Sequence, residues 1–314
     1  MAIDLSGITF SNQADVVPLS GVEEIVNTGS ANALAGNDVI TGTGSNTDIS
    51  FGIHNWDGTV ESTASINTGE GNDRVTGTAS SNSYATGIFN WGFINTGEGN
   101  DVITGAGSDI GISSYSYTIY DYENKSQRKS ETRIDTGDGN DIIMGISSGI
   151  AINNDGVIFT GNGNDSIISY GNFYNYDNVY LGEGNDSIIV TGEIYNGGSI
   201  SAGNGNDSII TYGSFNREGY GSGVNLEDGN DYFYGFGSGY FSGGNGEDTL
   251  ELPPGSYTIE ISFNTVKFTE DSTFTDTSQS QKAMMNTLEF EKLIAGGTTY
   301  DFSSLTNGQT IFVA

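Results

Sequence analysis

The chain has 314 residues, of which 40 are acidic and 9 are basic, so its formal net charge is −31. Nucleic acid and anionic membrane surfaces are poor partners for such a chain, because both bind positively charged faces. Cysteine is absent, which excludes disulfides and thiolate metal sites, while 11% aromatic residues and regularly spaced isoleucine and valine argue against disorder.

Residues 1–35 are predicted to form an N-terminal cap, with a strand over residues 22–27 that leads into the first repeat. The first residues lack the basic stretch and apolar run of a secretory signal peptide. No apolar run in the chain approaches the length of a transmembrane segment. Any export would therefore depend on information elsewhere in the chain.

Residues 36–252 are organised by a turn motif, Gly-x-Gly-Asn-Asp, that is followed by β-branched residues. Successive copies are separated by 35, 28, 40, 24, 21, 21, 24 and 17 residues. The first copy and the last two are incomplete, which is typical of stacked repeats, whose end units cap the stack. The nine copies end at Asp38, Asp73, Asp101, Asp141, Asp165, Asp186, Asp207, Asp231 and Asp248.

The shortest regular unit, 21 residues, contains three short strand candidates: one before the turn, one after it and a third near an asparagine. This pattern fits one coil of a parallel β-solenoid, so the predicted fold class is all-β. The residue two positions after each motif aspartate is apolar and is predicted to face inward in one row. This row comprises Ile40, Val75, Ile103, Ile143, Ile167, Ile188, Ile209, Phe233 and Leu250.

The third strand predicts an asparagine ladder at one corner of the solenoid. Asparagines stacked at a corner can hydrogen-bond to one another and tolerate left-handed backbone. A structural ladder is favoured over a ligand site. Its predicted members are Asn55, Asn90, Asn153, Asn175, Asn196 and Asn216.

The 35- and 40-residue gaps leave two alternatives open, because each can be a single bulged coil or can contain an extra coil without the motif. Residues 108–133 form the largest bulge and are predicted to project as a β-hairpin arm. They hold four of the nine basic residues: Lys125, Arg128, Lys129 and Arg133. From residue 253 to 314, apolar residues alternate with polar ones and predict a C-terminal β-rich cap.

The repeated turn is predicted to bind Ca²⁺, which takes six to eight oxygen ligands at about 2.3–2.6 Å. Equivalent atoms of adjacent coils would be about 4.8 Å apart, so an ion between two turns could contact a carboxylate above and one below. Bare aspartates at that spacing would repel by roughly 3–4 kcal/mol per pair. The alternative is that Asn and Asp only close each turn by bonding to their own backbone.

Glycines in the motif permit positive φ, which would turn backbone carbonyls toward an ion. The predicted metal site therefore includes the nine aspartates together with the turn glycines. These glycines are Gly69, Gly71, Gly97, Gly99, Gly137, Gly139, Gly161, Gly163, Gly182, Gly184, Gly203, Gly205, Gly229, Gly244 and Gly246.

The motif resembles the calcium-binding nonapeptide of the RTX (repeats-in-toxin) family, G-G-x-G-x-D-x-U-x, over roughly residues 34–252. RTX β-rolls repeat the nonapeptide back to back, whereas this chain has one motif per coil, which suggests a single row of Ca²⁺. That arrangement is similar to the β-solenoid regions of large RTX adhesins, one of which binds ice. The ice-binding threonine position is held here by Glu70, Glu98, Asp138, Asn162, Glu183 and Asn204, which argues against ice binding.

The resemblance implies a secreted protein, exported by a type I system through an uncleaved C-terminal signal and folded on meeting extracellular calcium. The leading hypothesis is a calcium-stabilised structural or adhesive protein at the cell surface or outside the cell, with polysaccharide or self-association as further partners. Two alternatives are a carbohydrate-binding or polysaccharide-modifying β-helix, using Trp56, Trp91 and residues 115–122, and a calcium-independent solenoid. No catalytic residue is predicted, since His54 is the only histidine and the carboxylates follow the repeat.

Overall fold

The computed structural model describes residues 2–18, 23–60, 62–81, 83–121, 125–217, 223–271 and 283–314. Its elements are β-strands apart from two short 3-10 helices, Leu5–Gly7 and Phe302–Ser304. Most strands pair in parallel with the equivalent strand of the neighbouring coil, so the chain is a parallel β-solenoid and the predicted fold class is confirmed. No helix in the described ranges is long and apolar enough to cross a membrane.

The strands that precede each motif turn form one long sheet together with strands of the C-terminal cap, called here the pre-turn sheet. It joins fifteen described strands. Most are three to six residues long, and two short ones, Asp228–Gly229 and Asn245–Gly246, lie within the last two motif turns. They are Ser30–Asn32, Ser65–Glu70, Phe93–Glu98, Arg133–Asp135, Val157–Asn162, Asn178–Glu183, Ser199–Asn204, Gly223–Asn225, Asp228–Gly229, Gly239–Ser242, Asn245–Gly246, Gly255–Ser262, Thr265–Glu270, Met284–Leu288 and Thr310–Val313.

The strands that follow each turn form the second sheet, the post-turn sheet, with eighteen described strands. In several coils the predicted second and third strands merge into one long strand. The members are Ile3–Asp4, Val16–Val17, Ile25–Asn27, Val39–Gly44, Ile49–Asn55, Arg74–Ala79, Tyr84–Asn90, Val102–Gly107, Ile110–Ser114, Ile142–Asn154, Ser166–Asn175, Ser187–Val190, Ile194–Asn196, Ser208–Arg217, Tyr232–Gly237, Thr249–Leu252, Lys292–Ala295 and Thr298–Asp301.

The core consists of apolar rows that run along the solenoid axis. The row two positions after each motif aspartate, from Ile40 to Leu250, is in register from coil to coil and at most 1% exposed, as predicted. A second row, from Ile66 to Phe241, lies on the pre-turn sheet, and a third, from Ile25 to Phe215, lies two residues before the asparagine corner. Burial of these rows supplies the main driving force for stacking the coils.

The two long gaps are single bulged coils. Val39–Gly44 pairs directly with Arg74–Ala79, and Val102–Gly107 pairs directly with Ile142–Asn154, so no extra coil lies between them. In the longer gap, an antiparallel hairpin joins Thr118–Asp121 to Ser126–Lys129. Ile110–Ser114 and Arg133–Asp135, at the two ends of the predicted arm, belong to the two main sheets.

An asparagine ladder occupies the corner after the post-turn sheet, but two of its predicted members are wrong. Strand register places Asn154, rather than Asn153, opposite Asn175, and Arg217, rather than Asn216, opposite Asn196. The ladder position lies two residues after the buried apolar residue of the third row, so Asn153 and Asn216, which directly follow Ile152 and Phe215, are one residue too early. The buried corner residues are Asn27, Asn55, Asn90, Ser114, Asn154, Asn175 and Asn196.

Both ends of the solenoid are covered by additional strands. Ile3–Asp4 pairs with Ile25–Asn27 at the N-terminal end. At the C-terminal end, Met284–Leu288 and Lys292–Ala295 add to the two sheets in parallel, and antiparallel strands complete the cap. Covered ends protect the unpaired backbone of the last coils, which would otherwise template aggregation.

We expect Asn175→Ala to destabilise the protein by about 2–4 kcal/mol, because it leaves buried polar partners unsatisfied. Asn175 Nδ2 donates to Asn196 Oδ1 at 2.8 Å, and its Oδ1 accepts from Asn154 Nδ2 at 2.8 Å. Asn153→Ala is the matched control and should change stability by about 0.5 kcal/mol or less. Urea unfolding with calcium present measures both; equal effects would contradict the ladder assignment.

Candidate metal centre

The motif turns require glycine for two reasons. Of the fifteen predicted glycines, all except Gly229 have φ between 92° and 153°, where side chains are strained. In addition, the second glycine of each turn packs against the carbonyl oxygen of the equivalent glycine in the preceding coil. A Cβ on Gly71 would lie 1.7 Å from the Gly36 oxygen, and one on Gly205 would lie 1.5 Å from the Gly184 oxygen. The turns therefore stack backbone on backbone.

The nine motif aspartates form one continuous column inside this corner. Each is at most 2% exposed. The Oδ1 atom of each accepts a hydrogen bond of 2.7–2.8 Å from the backbone N–H of the aspartate one coil earlier, as between Asp207 Oδ1 and Asp186 N. These bonds join different coils, so the alternative in which each Asp only closes its own turn does not describe the structure.

The other carboxylate oxygen, Oδ2, is buried and has no hydrogen-bond partner in any of the nine aspartates. Buried polar atoms are nearly always satisfied in folded proteins, and a buried carboxylate without a counter-charge is especially costly. Nine identical exceptions in one column are therefore a property of the site. A cation is the group that would satisfy them.

Burial without a counter-charge raises the pKa of eight of these carboxyl groups. Desolvation is the main cause, opposed by the inter-coil hydrogen bond from the backbone. The pKa is raised to about 6 for Asp101, Asp141, Asp165 and Asp207 and to about 7 for Asp186 and Asp231. The pKa values of Asp38 and Asp248 are also raised.

A buried threonine lies beside the column in four coils. The hydroxyl of Thr96, for example, lowers the pKa of Asp101 in part, but it donates to the Thr136 carbonyl at 3.1 Å. The hydroxyls of Thr68, Thr136 and Thr160 donate in the same way to the next coil. The threonine row therefore supports stacking and leaves Oδ2 unsatisfied.

The motif asparagines form a second, outer column. Asn206 N donates to Asn185 Oδ1 at 2.7 Å, and the same bond of 2.6–2.8 Å joins the asparagines from Asn37 to Asn230. This bond runs in the direction opposite to that of the aspartate column. The motif asparagine is thus explained by hydrogen bonding between coils.

Oxygen donors suitable for a hard cation are present at each turn. Among the described residues, the carbonyl oxygens of Gly184 and Asn185 accept no hydrogen bond, and the same holds for the equivalent pairs of the other complete turns. No group of three or more Asp, Glu or His side chains in the described ranges is arranged to hold a metal. Any ion would therefore rely on one or two aspartates together with backbone carbonyls, a ligand type that Ca²⁺ accepts.

The column is longer than the sequence predicted. Asp15 N donates to Asp38 Oδ1 at 2.7 Å, and Glu291 Oε2 accepts from Asp248 N at 2.8 Å. Neither residue lies in a Gly-x-Gly-Asn-Asp turn, so no local signal marks either one. Asp15 is identified only by its pairing with Asp38, the first motif aspartate, and Glu291 only by its pairing with Asp248, the last one.

No protein-family model matches the chain, and no curated protein sequence matches it. One similar solved structure is a hyperactive, Ca²⁺-dependent, β-helical antifreeze protein from an Antarctic bacterium, with 22% identity and a TM-score of 0.47. The match covers 77% of this chain and 65% of that one, so the chain spans less than two thirds of that protein's length. A similarity of this degree says nothing about ligands, and the relation to RTX proteins stays a resemblance.

The raised pKa values predict an unusual pH dependence in chelator. The aspartate pKa is about 4 in an unfolded chain, and in the fold it is raised to about 6 or 7 for six of the motif aspartates. Between these values the folded state holds more protons than the unfolded state, so stability should fall as pH rises from 4 to 7. Calcium should reverse this trend, because its ligands must be deprotonated.

Urea unfolding at pH 4.5, 6 and 7.5, in chelator and in calcium, tests this dependence. If the midpoint in chelator rises with pH as it does in calcium, the carboxylates do not lie unpaired in the corner.

Proposed function

We propose that the chain is a calcium-binding β-solenoid whose fold is stabilised by a row of Ca²⁺ between the stacked motif turns. The observation that carries this proposal is the column of nine buried Oδ2 atoms without partners. Ca²⁺ would supply the positive charge and would be coordinated by the free carbonyl oxygens of the same turns. The nine aspartates enclose eight intervals between coils, and each interval is a candidate site.

The role that we propose is structural or adhesive, at the cell surface or in the extracellular medium. Binding of calcium to the folded state alone would link folding to the calcium concentration, which is low inside cells and high outside. A non-catalytic role is supported by the environment of His54. Its ring packs against Phe51 at 4.5 Å and Phe89 at 5.3 Å, and burial lowers its pKa.

A second candidate function is binding of a polysaccharide. Six rings lie in one contiguous cluster on coils near the N-terminal end: Phe51, His54, Trp56, Phe89, Trp91 and Tyr115. The indole N–H of Trp91 is buried and has no acceptor, so a polysaccharide would contact this cluster through its ring surfaces. Trp56 and Trp91, however, stack face to face at 5.2 Å, which uses the ring faces that a sugar would need. The calcium function is therefore the primary proposal.

We expect Asp207→Asn to reduce the number of bound calcium ions by one or two, because Asp207 borders two intervals. Asn keeps an oxygen that accepts from Asp186 N and removes only the charge. Isothermal titration calorimetry counts the ions, and thermal unfolding should show a smaller gain in midpoint on adding calcium.

Glu183→Gln is the matched control, since Glu183 is exposed in the neighbouring turn and lies outside the column. It should leave the number of ions unchanged. An Asp207→Asn protein that binds as many ions as the wild type, with the same affinities, would refute the proposed row.

For the second candidate, a glycan array probed with the wild type and with Trp91→Ala is decisive. Binding should be present in the first and reduced about tenfold or more in the second, in line with the loss of one aromatic anchor. Absence of binding to any glycan by the wild type would remove this candidate.

A further inference from the structure

The C-terminal cap continues the aspartate column with a glutamate. Lys292 pairs with Thr249 in parallel register, which places Glu291 opposite Asp248. Glu291 Oε2 accepts from Asp248 N at 2.8 Å, within the range of the bonds between motif aspartates. Glu291 therefore makes the same contact to Asp248 that each motif aspartate makes to the preceding one, although it comes from the cap.

The space beside Asp248 is occupied by oxygen atoms where other coils place a side chain. Gly243 stands at the position that is held elsewhere by Thr68, Thr96, Thr136, Thr160, Leu181, Ala202 and Leu226. A Cβ on Gly243 would lie 2.0 Å from the Glu289 carbonyl oxygen and 2.6 Å from Asp248 Oδ2. Asp248 is 0% exposed, and its Oδ2 has no donor. The Glu289 carbonyl oxygen and Asp248 Oδ2 thus lie near the same glycine, and neither accepts a hydrogen bond among the described residues. Together they form a candidate position for a cation.

We propose a further calcium site at the junction of the last coil and the cap, formed by the Asp248 carboxylate, the Glu291 carboxylate and the Glu289 carbonyl oxygen. This inference rests on the proposed function. All three groups are hard oxygen donors of the kind that Ca²⁺ binds. Asp248 belongs to the solenoid and the two glutamates belong to the cap, so an ion here joins the two parts and links the docking of the cap to calcium.

The N-terminal end of the column differs. Asp15 offers its backbone N–H to Asp38, but both of its carboxylate oxygens accept hydrogen bonds from Ser11, at 2.8 Å from the backbone N and at 3.2 and 3.3 Å from Oγ. That carboxylate is satisfied within its own turn. The structure therefore assigns the additional site to the C-terminal end alone.

Glu291→Gln tests the site, because Gln keeps an oxygen that accepts from Asp248 N and removes the charge. We expect the full-length variant to bind one calcium ion fewer than the wild type in titration calorimetry. Hydrogen–deuterium exchange in calcium should become faster in Lys292–Ala295 and stay unchanged in the central strands Ser187–Val190 and Ser208–Arg217.

Glu260→Gln is the matched control. It removes one charge from the same cap, where Glu260 is exposed and paired with Lys267 at 2.7 Å, and it should keep the wild-type number of ions. Glu291→Asp introduces the residue that the motif turns have at the equivalent position. It should bind the wild-type number of calcium ions, with a changed affinity at one site.

The possible outcomes separate the two claims. A wild type that binds no calcium contradicts the proposed function. A wild type that binds calcium, with a Glu291→Gln variant that has the same number of ions and the same affinities, overturns the junction site alone. Should Glu291→Gln not fold, Glu291→Asp decides: a changed affinity at one site supports the assignment, and unchanged affinities at all sites overturn it.

Discussion

The structure depends on one buried column of carboxylates. Each motif aspartate is held inside a corner of the solenoid, and its two oxygens have different roles. Oδ1 fixes the coil against its neighbour through a backbone hydrogen bond. Oδ2 has no partner and imposes an electrostatic cost that grows with every coil added to the stack. That cost is relieved either by protonation, which the raised pKa values favour, or by a bound cation, which is the basis of the proposed calcium row.

The column explains why coils of very different length stack in one register. The turn and the strands that flank it must match between neighbours, because the second glycines touch the carbonyl of the preceding coil and the core rows must align. Residues elsewhere in the coil have no such constraint. The 40-residue gap therefore accommodates a hairpin, Thr118–Asp121 with Ser126–Lys129, without interrupting the column between Asp101 and Asp141.

Hydrogen-bond ladders at two corners of the solenoid hold neighbouring coils together. The asparagine corner is buried and made of neutral groups, and Asn154, Asn175 and Asn196 are joined by amide hydrogen bonds. Asn154 Oδ1 has no partner, because Ser114 stands at the ladder position of the preceding coil. The motif corner combines an outer asparagine column, which is also self-sufficient, with the inner aspartate column, which is not. The few unpaired atoms of the asparagine corner are thus neutral, whereas the motif corner has an unpaired carboxylate oxygen in every motif turn. We therefore expect the motif corner to be the part of the fold that responds to pH and to cations.

Sequence alone determined the repeat, the solenoid and the nine aspartates, because a fixed offset between Gly-x-Gly-Asn-Asp and an apolar residue is a local pattern. It chose Asn153 rather than Asn154, since the two asparagines are adjacent and only the strand pairing places Asn154 opposite Asn175. It also left the long gaps open and gave no sign of Asp15 or Glu291. Those answers depend on which residues pair across intervals of 23 to 43 positions, and such pairing is set by stacking of whole coils, which only the tertiary structure shows.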